Sequence, residues 1–70
     1  MRYFNFQDVA REAGLSSAQL KALCKRIRED FPQDTMMFEL HVLRACLAIR
    51  DGRATLEEAL SAEPAARKTL

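Results

Sequence analysis

Ser17, Lys21, Lys25 and Arg28 follow one another at intervals of four, four and three residues, the spacing that sets side chains on one face of an α-helix. The stretch they span also holds Arg26 and no acid. Like charges four residues apart on a helix repel by roughly 0.2–0.5 kcal/mol, and a polyanion relieves that repulsion. The chemistry on offer is electrostatic: contact with phosphate groups. The competing reading is the solvated face of an ordinary helix, since surface helices carry charges in stripes as well.

Covalent and metal chemistry find no such grouping. Ser16 and Ser17 have no histidine nearby in sequence, and the one histidine, His41, falls in a largely apolar segment. The two glycines, Gly14 and Gly52, are too few for a phosphate-cradling loop and read as helix stops. Glu57-Glu58 reads as a solvated helix face. Cys24 and Cys46 lack metal-ligand spacing and fit buried free thiols. An enzyme is not expected, and no cofactor, metal or small-molecule substrate is implied.

The elements that must position the basic stripe lie in Phe6–Arg28, FQDVAREAGLSSAQLKALCKRIR. Asn5 is placed to cap a first helix through its side-chain oxygen. That helix is expected over about Phe6–Ala13, with Val9, Ala10 and Ala13 along its apolar face. Asp8 falls near its N-terminus, where the helix dipole favours an acid. Gly14 follows at the position where a left-handed residue ends a helix. Ser16 is placed to cap a second helix, Ser17 to about Asp30, whose buried stripe is Leu20, Leu23, Cys24 and Ile27. Pro32 disfavours helical geometry at Phe31 and stops it.

Two short helices across a tight glycine turn resemble the helix-turn-helix of DNA-binding regulators. The segment VAREAGLSSAQL is similar to the corresponding segment of the AraC-type and lactose-repressor-type families. The resemblance covers about a third of the chain and implies a function, that of a small DNA-binding protein acting in transcription regulation as a homodimer. It also implies roles, because the second helix of such a motif enters the major groove. Ser17, Ala18, Lys21 and Ala22 would face base edges of double-stranded DNA, Gln19 would lie at the rim, and Lys25 and Arg28 would reach phosphates. Arg2 would add a contact from the N-terminal arm. The first two turns hold no arginine or asparagine for bidentate base recognition, so strong sequence specificity is not implied. The alternative is a protein-interaction module that keeps the packing without reading bases.

The rest of the chain completes an all-α bundle of three main helices and a short fourth. Met1–Phe4 reads as an aromatic cover or a short arm. Asp34 caps a third helix, Thr35–Arg50, closed by Asp51-Gly52. This helix is apolar nearly all round, with two stripes on opposite sides. Met36, Leu40, Leu43 and Leu47 are expected against the core, with Met36 and Met37 as core filler. Phe38, Val42, Ala45 and Ile49 are expected to form a dimer interface. His41 is expected as a satisfied or half-exposed residue. Thr55 and Glu58 make a capping box for the fourth helix, which carries Leu56, Ala59 and Leu60. Residues 1–62 are expected as one domain and 63–70 as a frayed tail.

Composition sets broad limits. The 70 residues are 49% hydrophobic with a net charge of +1, enough apolar matter for one small core. Chains of this size bury only about 60% of their unfolded surface, and many gain stability by association. No apolar run reaches membrane-spanning length and no signal-peptide pattern opens the sequence, so a cytoplasmic protein is expected.

Overall fold

The computed structural model describes residues 3–61. They form α1 (Phe6–Glu12), α2 (Ser17–Asp30), α3 (Thr35–Arg50) and α4 (Leu56–Ser61), with no strand among the described residues. The expected all-α bundle is the observed one. The expected arm contact of Arg2 and the frayed tail 63–70 lie outside the described residues.

Local chemistry sets the helix boundaries. Gly14 has a φ of +80°, and the α1 terminus closes by two bonds, Gly14 N–H to Arg11 O and Leu15 N–H to Ala10 O, each 3.0 Å. This is the Schellman arrangement, in which the residue after the helix must be left-handed. The same pattern ends α3: Gly52 has a φ of +77°, and Arg53 N–H reaches Ala48 O at 2.8 Å. Ser16 opens α2 with a reciprocal capping box, its Oγ accepting from Gln19 N–H at 3.1 Å and its N–H donating to Gln19 Oε1 at 2.8 Å. Asp34 caps α3 through Met37 N–H at 3.1 Å. Thr55 and Glu58 close the expected box at α4. Asn5 departs from expectation. It stands at the N-cap of α1 but makes no side-chain cap bond. Its amide donates instead to the Asp8 carboxylate at 3.0 Å, a charged and therefore stronger acceptor.

Packing runs chiefly between α1 and α3, while α2 rests on α3 and on α4. The buried centre is Phe6, Ala10, Leu23, Phe38, Val42 and Cys46. The Phe6 and Phe38 rings meet edge-on, centroids 6.4 Å apart, the geometry that aromatic quadrupoles favour.

The two stripes of α3 exchange their expected roles except at Leu43, which packs against the core as expected. Val42 and Cys46 are fully buried and Phe38 is 9% exposed, so the Phe38–Val42 side is the core of the monomer and supplies no dimer interface. Ala45 packs against the same core and Ile49 is half-buried. Met36 is 48% exposed, and neither it nor Met37 fills the core. The buried side is the one on which both neighbouring helices pack: Phe38, Val42 and Cys46 share one cluster with Phe6 and Ala10 of α1 and Leu23 of α2.

Two polar ties hold the ends of the α1–α3 pair. Glu39 is buried, 7% exposed, and its Oε1 accepts from Tyr3 N–H at 2.6 Å and Phe4 N–H at 2.9 Å. The chain before α1 is thus held on α3, leaving Tyr3 with an exposed ring rather than a covering one. At the other end Arg50 donates to Glu12 at 2.9 Å and to Asp51 at 3.1 Å. These two carboxylates hold the guanidinium pKa above its usual value. His41 is half-buried, its ring 4.5 Å from that of Phe31 and its Nδ1 2.8 Å from Met37 O.

Candidate nucleic-acid interface

α2 exposes Ser17, Ala18, Gln19, Lys21, Ala22 and Lys25, so six of the seven residues expected at a DNA surface do face solvent. They face it because Leu20, Leu23, Cys24 and Ile27 occupy the opposite side, with Leu23 completely buried and the others packed around the core. Lys21 and Lys25 make no ion pair among the described residues. Gln19 is exposed, but its carboxamide oxygen is engaged at the capping box.

Arg28 does not belong to this surface. Its guanidinium carbon lies 3.9 Å from the centroid of the Phe38 ring, and Nη1 donates to Phe31 O at 3.2 Å. It caps the C-terminal end of α2 and pins it to α3 by a cation–π contact. Arg26 is also turned inward, paired with Asp30 at 3.3 Å and Glu29 at 3.8 Å. The cationic stripe of the sequence therefore reduces to two free lysines. Spacing along a helix assigns a face; it cannot show that an aromatic ring of another helix awaits the last member of the series.

The structure adds two residues that the stripe does not contain. Gln7 and Arg11 lie on α1 in the shallow clefts between α1 and α2, Arg11 beside Ser16 and Ser17, and Gln7 beside Ser17 and Lys21. Arg11 is largely exposed and pairs with Asp8 at 3.2 Å. The signal that could have found them is their own spacing of four, which sets both on one face of α1. Gln7, Arg11, Ser17, Lys21 and Lys25 make a polar, predominantly cationic surface across both helices, suited to contact a phosphate backbone.

Neither cysteine is an activated nucleophile. Burial raises the Cys24 thiol above its ordinary value, with the Arg28 charge opposing the rise. Burial likewise pushes Cys46 up to about 11, and the neighbouring Cys24 adds to the effect. Both are neutral thiols at neutral pH, whereas nucleophilic cysteine requires the thiolate. Among the described residues no three of His, Cys, Asp and Glu cluster as metal ligands do, and no helix is long and apolar enough to cross a membrane. No protein-family model, curated protein or solved structure matches this chain.

Proposed function

We propose that this protein is a small DNA-binding transcriptional regulator that lays α2 on duplex DNA, two copies acting together. One observation carries the reading: the outer face of α2 is exposed along its first turns and bears Lys21 and Lys25 with no ion-pair partner among the described residues. The cost of holding two unpaired cations on one face falls when phosphates neutralise them and condensed counterions are released. Ser17, Ala18 and Ala22, at the N-terminal end of that face, supply short side chains that let the helix approach base edges closely. They offer one hydroxyl and two methyl groups, so recognition is dominated by phosphates and only lightly sequence-selective. No cofactor takes part in this reading.

Fluorescence anisotropy of a labelled random duplex at several salt concentrations tests it. Two phosphate contacts per copy predict a log–log salt slope of about −1.8 per copy, and about −3.6 for a pair. Lys25→Ala is expected to weaken binding to all duplexes alike and to remove about 0.9 from the slope for each copy. A wild type that ignores duplex DNA at low salt refutes the proposal. The α1–turn–α2 unit would then be a packing device, and the protein an interaction module.

A further inference from the structure

α3 turns an apolar arc toward solvent. Around the helix it runs from Met36 through Leu47, Leu40, Arg44 and Met37 to Ala48, within about 120° at about 100° per residue. Met36 is 48% exposed, Arg44 is exposed and the other four are half-buried. The five apolar members stand outside the buried cluster and outside the side chains packed against it. Along the inner edge of the arc, Met36, Leu40, Leu43 and Leu47 recur at intervals of four, three and four. That is the seam spacing of a helix that pairs with another helix. Leu43 serves both surfaces, touching the core as well.

We propose that a second copy of the chain covers this face, α3 against α3 in an antiparallel two-fold pair, with Met36 opposite the partner's Leu47 and Leu40 opposite the partner's Leu43. The inference deepens the paired-reader proposal by naming the surface through which the two copies meet. A two-fold contact must be self-complementary, and this register sets an apolar side chain opposite every seam position. Charge selects the antiparallel sense. Asp34, which is exposed, caps the N-terminal end of α3 and lines a groove with Tyr3 and Met36; Asp30 lines it too but is paired with Arg26. The other end carries Arg50, already tied to Glu12, and Arg53, which is 66% exposed and whose one ion pair among the described residues is a 3.7 Å contact to Asp51. Antiparallel pairing brings each Arg53 toward the partner's acidic groove and sets the helix dipoles head to tail. Parallel pairing would place like ends together. Arg44, on the flank of the seam, can lay its aliphatic stem over the partner and keep its charge in water.

Sedimentation equilibrium without DNA tests the pairing, so its failure is separable from a failure of α2 to bind duplex. The wild type is expected to double in mass as concentration rises. Leu40→Glu places a charge in the middle of the seam and is expected to stay folded, by circular dichroism, at the single-chain mass. Met36→Glu should do the same at a position already half-exposed, where the core is not disturbed. In a Cys24→Ser background, Met36→Cys and Leu47→Cys chains should cross-link when mixed and not alone, because like positions lie about 16 Å apart along the helices. A wild type that remains at single-chain mass throughout overturns the proposal. So does a Met36→Glu variant that still doubles. Cross-linking of like variants overturns the antiparallel sense, and wild type that sediments with anionic vesicles as a monomer assigns the face to a membrane surface instead.

Discussion

Replacing Arg28 by alanine separates the two roles that its position allows. By spacing it is the last phosphate contact of α2; in the structure it is a clamp. Its guanidinium stacks on Phe38 at 3.9 Å and donates to Phe31 O at 3.2 Å. A partly desolvated cation–π contact is worth about 1 kcal/mol, and a hydrogen bond from a charged donor about 1.5 kcal/mol. Some of the second returns, since Phe31 is only half-buried and water can replace the donor. The net expectation is a loss of about 2 kcal/mol. For a domain of this size about 1 kcal/mol moves Tm by about 4–8 °C, so Arg28→Ala should melt roughly 8–16 °C lower. Arg28→Lys, which keeps the charge but loses the planar stacking and the fork, should fall between. The discriminating assay is the salt dependence of duplex binding, measured well below the lowered Tm. The slope should be unchanged in Arg28→Ala and flattened in Lys25→Ala. An unchanged Tm with a flattened slope would return Arg28 to the DNA surface and refute the clamp.

Substitutions at three other positions test the fold. Gly14→Val is expected to cost about 1–2 kcal/mol by denaturant unfolding; a Cβ at Gly14 meets nothing within 4 Å, so the whole cost is the positive φ, and unchanged stability would contradict that φ. Glu39→Ala should cost about 2–3 kcal/mol and release the Tyr3 and Phe4 amides to hydrogen exchange. Glu39→Gln should cost about half as much, because both amides share one oxygen that glutamine retains; equal losses would count against the tie. Cys46 makes stability depend on alkaline pH. Its contribution is fully present below about 9.0, where the unfolded thiol ionises, and is lost as pH rises toward the folded value of about 11, by on the order of 2–3 kcal/mol. Cys24 acts in the same direction, and a Cys46→Val variant that loses stability as steeply over that range would exclude the assignment.

The helices were legible because their determinants are local. Gly14, Gly52, Ser16, Asp34, Thr55 and Glu58 act within a few residues of themselves, and each ends or opens a helix where its chemistry requires. The orientation of α3 was not legible, for a physical reason. A helix apolar on two opposite sides has no single face that burial must choose, and the choice falls to whichever side its neighbouring helices pack on. Leucines offer more area to bury, yet the buried side of α3 is the one that carries Phe38, Val42 and Cys46. Glu39 was hidden for a related reason. A carboxylate buried by backbone amides 35 and 36 residues away leaves no periodic trace. For the candidate interface, solvent exposure of the first turns of α2 followed directly from its apolar stripe. The inward turn of Arg26 and Arg28 depended on neighbours that helix spacing does not encode.

That α1 rests chiefly on α3 rather than on α2 bears on the order in which the chain can fold. The seven residues of α1 are too few to persist as an isolated helix in water. During synthesis, α1 and α2 leave the ribosome before the segment that will hold them together has emerged. The loop that closes when α1 meets α3 spans all of α2, so its entropy must be overcome before the contact is made. A nascent chain truncated ahead of Thr35 should therefore remain unfolded and open to proteolysis. Completion of α3 is then the event that gives the two-helix unit its shape.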